Sequence, residues 1–230
     1  TDPAWANLVD DLVWLRVGQL GKLISAFTER GVKHCVMAGQ IAPKNLFDLR
    51  PDLRAVALLM RLKEKNAHTI FADKLQKDGV ELISAVPWLQ PLMAGTGFHL
   101  GQKLSDEETA DVQFGFRIAK EISRLEIGQT VVVKGGTVLA AEGFEGTDKA
   151  LARGGELAGK DGGAVAVKVA KEQHDLRFDI PCVGPKTLEV CAASGVRVLA
   201  FESGRTLLLE QDVMEKLVRQ HGLSLLTVGG

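Results

Sequence analysis

Five short strand-like runs in the second half of the chain, GGAVAVKVA, HDLRFDI, VRVLAFE, RTLLLE and LSLLTV, are interleaved with stretches of helical period at about 186–194 and 211–221. Short apolar runs alternating with helices are what a sheet covered by helices requires, so this half is predicted to be an α/β domain with a mixed sheet. QTVVVKGGTVLAAE adds two apolar runs joined at Gly135-Gly136, the composition of a tight hairpin. Ahead of it, SDEETADVQFGFRIAKEISRLEIG opens with a capping box, Ser105 to Glu108, and carries Val112, Phe116, Ala119, Ile122 and Leu125 on one face. That helix is expected to pack on the sheet.

The first half shows helix and strand periods in turn. VGQLGKLISAFTERGV has Leu20, Ile24 and Phe27 at helical spacing and closes at Gly31, and KHCVMAG follows as a short strand. DLRAVALLMRLKEK and HTIFADKLQKDG read as two more helices, the second feeding the strand VELISAV. The pattern suggests the later portion of a parallel α/β layer. PWLQPLMAGTGFHLGQKLS has Pro and Gly punctuation and no clean period, as a connector would. The expected division is therefore an N-terminal domain over 1–92, a linker over 93–104, and a C-terminal α/β domain over 105–230.

Charge and cysteine content exclude several functions. A formal net charge of -1 leaves no long-range field to gather nucleic acid, so none is expected as a partner, and an anionic ligand must be held by local groups. Cys35, Cys182 and Cys191 are odd in number, lack a CxxC pair and sit among apolar neighbours, which suits reduced thiols and argues against structural zinc. No run approaches the ~20 apolar residues that cross a bilayer, and no charged-then-apolar leader opens the chain. A cytoplasmic protein is expected. The chain opens with TDPAW and no methionine, so its true start is expected to be missing.

Chemistry concentrates in two stretches of the second half. AAEGFEGTDKALARGG packs Glu142, Glu145, Thr147 and Asp148 behind a strand end, where polar groups are costly unless solvated or holding something. Thr147 or Asp148 either caps the following helix or grips a ligand, and the two roles are compatible at a helix N-terminus. In HDLRFDIPCVGPKT a two-residue period would set Asp175, Arg177 and Asp179 on one strand face. The plainer reading is a solvated face with ion pairs. The sharper one is a metal and phosphate site, because magnesium takes carboxylate oxygens and arginine matches phosphate. Thr187 opens the next helix toward an anion, Lys168 and Lys171 are candidate phosphate partners, and His174 is a candidate base.

EGTDKAL, QHDLRFDIPCVGPKTLE, VGQLGKLI and VMAGQI together resemble the LpxI-type UDP-2,3-diacylglucosamine pyrophosphatases, in order and spacing over essentially the whole chain. The resemblance implies hydrolysis of UDP-2,3-diacylglucosamine to UMP and 2,3-diacylglucosamine 1-phosphate in lipid A synthesis of Gram-negative bacteria, with magnesium or manganese as cofactor. It implies a Rossmann-like N-terminal domain, here incomplete, joined by a linker to the C-terminal α/β domain with its mixed sheet. Nothing here corresponds to the family's glycine-rich strand-to-helix turn, so either that N-terminal part is missing from the sequence or the chain is a shortened relative. In family terms the acid of D-x-P-x-x-G is essential, and the motif reads Asp179, Pro181, Gly184 here.

The expected catalytic residues are Asp179 and Asp148, with Asp179 and Asp175 as metal ligands and Thr147, Lys168, Arg177 and Thr187 on the substrate. Trp88, Leu92, Met93 and Phe98 could line a groove for the acyl chains, though core is the plainer reading for them. A homodimer and a peripheral contact with the inner membrane are further associations that the resemblance allows. Two other functions stay open at this point: a nucleotide-sugar or lipid-phosphate binder without turnover, and a structural α/β protein whose acids only solvate strands.

Overall fold

The structure, a computed structural model, describes residues 3–39, 52, 56, 67–171, 175–178 and 180–229. The chain divides into two compact units, residues 1–85 and 86–230. In the first, α1 (Leu20–Thr28) buries Leu20 and Ile24, and a parallel pair joins β1 (His34–Cys35) to β2 (Glu81–Leu82). Between them α2 (Ala67–Lys77) runs into Gly79, whose φ of 84° is the left-handed conformation that ends a helix cheaply only in glycine. Leu75 and Val80, on either side of that turn, are fully buried. The helix read in DLRAVALLMRLKEK lies almost wholly outside the described residues.

The second unit is a six-stranded mixed sheet between layers of helices. After a short α3 (Val86–Leu89) come β3 (His99–Gly101), α4 (Asp106–Arg124), β4 (Thr130–Lys134), β5 (Thr137–Ala141), α5 (Thr147–Leu157) and β6 (Ala164–Lys168). Then follow β7 (Cys182–Val183), α6 (Pro185–Ser194), β8 (Val196–Glu202), β9 (Leu207–Leu208), α7 (Gln211–His221) and β10 (Ser224–Val228). The sheet order is β3-β10-β8-β6-β4-β5, with β10, β8 and β6 parallel and β3 and β4 antiparallel to them; β7 and β9 form a separate parallel pair. The edge strand β3 comes from within the stretch expected as a connector.

The buried strand runs follow from the two faces they serve. Along β6, Ala164 and Ala166 join the core under α5, α6 and α7, while Val165 and Val167 join the core under α4. Small residues let helices approach this sheet. A Cβ added at Gly154 of α5 would come within 2.4 Å of Val132, and one at Gly155 within 2.1 Å of the Ser194 carbonyl, so both glycines are required by close packing. On α4, Val112 and Ala119 are buried as expected, but Leu125 is 57% exposed because it is the C-cap, already turning away from the sheet.

The predicted capping box is present, with Glu108 N–H on Ser105 Oγ at 3.1 Å and Ser105 N–H on Glu108 Oε2 at 2.8 Å. Glu108 also pairs with Arg197 of β8. Burial disfavours its charge, but hydrogen bonds from Arg197 and Ser105 outweigh burial and hold its carboxyl below the usual range. A carboxylate depressed in the folded state contributes stability above its unfolded pKa of about 4.3 and loses it as pH falls through the folded value. Glu108→Gln should therefore flatten the decline of stability below about pH 5 in denaturant titrations.

The hairpin turn is pinned from α4. Gly135 and Gly136 have φ of 55° and 69°, and their N–H groups donate to the two oxygens of buried Asp111 at 2.8 and 2.7 Å. Asp111→Ala would leave two amides without acceptors, and a loss of about 1–3 kcal/mol in unfolding free energy is expected by denaturant melts.

Candidate active site

Ligands of sheets with parallel strands collect outside the carboxyl ends of those strands, and here Lys168, Thr147, Asp148 and the N-terminal turn that carries Thr187 lie at that edge. Lys168 is the last residue of β6, in register with Thr130 at the start of β4, and its Nζ donates to the Cys182 carbonyl at 3.1 Å. Thr147 opens α5, its hydroxyl donating to Glu142 Oε1 at 3.1 Å and lying 3.5 Å from that of Thr130. Asp148 reaches across to α6, pairing with Lys186 at 3.0 Å. A chain of contacts thus links β4, β6, α5 and α6 at one edge.

Neither helix at this edge is capped by a side chain. The N-cap of α5 is Gly146 and that of α6 is Gly184, the glycine of the D-x-P-x-x-G motif. Capping is therefore not what Thr147 and Asp148 do, which removes the plainer reading of their turn. Two helix N-termini, each favouring negative charge, instead open beside Lys168 and Thr147. Thr187 lies in the first turn of α6, half-buried, with its N–H on the Gly184 carbonyl at 3.0 Å. Glu145 faces solvent on the α5 turn, where Arg153 holds its carboxyl below the usual range. Burial, reinforced by the charge of Asp148, pushes the Cys191 thiol up to about 12, so that sulfur is inert at neutral pH.

HDLRFDI is not a strand where it is described. Residues 176–178 form a turn, in which Asp175 accepts the Arg177 N–H at 3.1 Å and its carbonyl accepts the Phe178 N–H at 2.9 Å. A side chain bonding its own backbone two residues on competes with a ladder, and here it wins. Arg177 also grips both Asp175 oxygens, at 2.6 and 2.9 Å, and lies over the Phe178 ring, so the expected two-faced alternation is lost. Asp179 and His174 lie outside the described residues.

The described residues do not themselves make a metal cage. No three His, Cys, Asp or Glu side chains among them stand together, and Asp175 spends both oxygens on Arg177. Of the apolar set expected to line a groove, Trp88 and Leu92 are exposed, whereas Phe98 packs on Phe201 with ring centroids 6.0 Å apart. A hollow of about 710 Å³ in the first unit is walled by Val13, Lys22, Arg30 and Asp52. Of its two acids, Asp52 already accepts the Gly21 N–H and Glu29 is exposed at the C-cap of α1, so it adds no candidate site.

Residues 1–92 match the LpxI N-terminal domain and residues 95–226 the LpxI C-terminal domain. The chain belongs to the LpxI family. It is 29% identical over 225 residues to the UDP-2,3-diacylglucosamine pyrophosphatase LpxI of Caulobacter vibrioides, covering 92% of this chain and 80% of that protein. Within this LpxI-family chain, the pattern of residues missed Lys186, Thr130 and Glu202 at the carboxyl edge. Lys186 stood in view, directly behind Pro185 in GPKT. Glu202 ends the buried run VRVLAFE, where a lone acid closing an apolar strand was a usable signal.

Proposed function

We propose that the protein hydrolyses the pyrophosphate of UDP-2,3-diacylglucosamine to UMP and 2,3-diacylglucosamine 1-phosphate, a step of lipid A biosynthesis. The observation that carries this reading is the meeting of Lys168, Thr147 and two glycine-capped helix N-termini at the sheet edge of an LpxI-family chain. A diphosphate brings concentrated negative charge, and an ammonium group with helix-end amides offers it fixed donors that need no reorganisation during reaction. Lys168 and Thr147 take the phosphates in this reading, with Thr187 on the α6 side. A phosphate reaching Arg177 must compete with Asp175 for the guanidinium. Asp179 and Asp148 are the acids assigned to the chemistry.

Magnesium or manganese belongs to the same proposal. Magnesium is commonly held by one or two carboxylates, with substrate phosphates and waters completing its shell, and Asp179 is the carboxylate assigned to it. Bound there, it would neutralise charge on phosphate oxygens. Hydrolysis is expected to vanish in excess EDTA and return on adding magnesium, with the circular dichroism spectrum unchanged; full activity in EDTA would remove the metal from the reaction.

Mass spectrometry of the products tests the function itself: UMP and the diacylated sugar 1-phosphate must appear in equal amounts. The proposal places the protein in the cytoplasm, in peripheral contact with the inner membrane where a diacylated substrate resides. No helix among the described residues is long and apolar enough to cross a membrane. Vesicle flotation tests the contact, and light scattering tests the proposed homodimer.

A further inference from the structure

We infer that Glu202 and Arg205 are positioning residues for this reaction, gripping the backbone where the chain leaves β6 and thereby fixing where Lys168 stands. The inference rests on the reading that Lys168 meets the substrate's phosphates. Glu202 ends β8, the strand beside β6, and is buried. Its Oε2 accepts the Ala170 N–H at 2.8 Å, while Oε1 faces Lys120 Nζ of α4 at 3.2 Å and Arg205 Nη1 at 3.6 Å. Arg205 in turn donates through Nη2 to the Lys171 carbonyl at 2.9 Å.

The ladder between β6 and β8 ends at Lys168, which pairs with Phe201. Past that point the Val169 N–H goes to the Gln129 carbonyl at 2.9 Å, and the next two residues are held by Glu202 and Arg205. Three successive residues after Lys168 are thus each tied to a different neighbour, two of them through one ion pair. The cations at Oε1 and the Ala170 N–H at Oε2 together make the buried carboxylate tolerable. The bond from Oε2 to the Ala170 amide also fixes a backbone position. An error of 1 Å in the placement of a substrate-binding group can cost about 100-fold in rate.

Three variants separate position from charge. Glu202→Gln keeps an acceptor at full length, Glu202→Asp keeps the charge but falls one methylene short, and Arg205→Ala releases Lys171. With UMP release as the readout, Glu202→Asp and Arg205→Ala should lower kcat/KM roughly 10–100-fold, while Glu202→Gln stays within about threefold of the parent protein. Because both residues act through Lys168, adding Arg205→Ala to Lys168→Ala should cost less than about threefold more, a non-additivity that a general loss of stability would not produce. Arg205 is partly exposed, so its variant should fold even if the buried Glu202→Asp fails to. A folded Arg205→Ala with unchanged kcat/KM, or full additivity with Lys168→Ala, overturns the inference. Absence of UMP release by the parent protein overturns the functional reading and this inference with it.

Discussion

Asp179→Asn should abolish nearly all UMP release while leaving the binding of UDP-2,3-diacylglucosamine close to that of the parent protein. Asparagine keeps the size of the side chain and removes its charge, so metal polarisation or water activation is lost, whereas contacts to uridine and to the acyl chains do not depend on the chemical step. Asp179 is the acid of the D-x-P-x-x-G motif, of which Pro181 is buried and Gly184 caps α6. Single-turnover kinetics and calorimetric titration separate the two effects. If more than about a tenth of the rate survives, the barrier has risen by less than ~1.4 kcal/mol and Asp179 is not the principal acid. The role then passes to Asp148, which already stands at the edge with Thr147 and Lys186.

Thr147→Ala should reduce turnover by roughly 100-fold or more, as loss of a charge-stabilising donor at an active site typically does, and Asp148→Ala by roughly as much through loss of an acid assigned to the chemistry, with little change in melting temperature for either. The stability half of this prediction comes from the geometry. Removing a side-chain cap costs about 1 kcal/mol, but α5 is capped by Gly146 and neither residue makes a capping bond. The Asp148–Lys186 pair is well exposed on the lysine side, and pairs of that kind contribute about 0–1 kcal/mol. Equal and small losses in rate and stability would return Thr147 and Asp148 to a structural role. Lys168→Ala differs from both, because its ammonium meets phosphate charge before and during reaction; binding and rate should weaken together.

What could be read from residues alone was whatever is decided locally. The Ser105–Glu108 box, the Gly135-Gly136 hairpin and the span of α7 each depend on residues a few positions apart, and each is found where the pattern put it. The turn at 175–178 was misread because HDLRFDI has a strand's alternation, and alternation does not reveal that Asp175 will bond the Arg177 amide. The edge strand β3 carries no period over three residues; backbone pairing with β10 creates it. Glu202 and Lys120 are 82 positions apart, so their meeting belongs to the sheet and not to any motif. The same holds for the edge itself. Thr147 and Lys168 were both legible as candidates, but only the register of Thr130 with Lys168 brings them to one place.

Turnover of a diphosphate at this edge is tested most directly by the amount of UMP released per protein molecule from UDP-2,3-diacylglucosamine in the presence of magnesium. Many UMP molecules per protein, with Lys168→Ala slower and weaker in binding, is the expected result. Tight binding of the substrate with no UMP formed would contradict it and leave a protein that holds the nucleotide sugar without cleaving it.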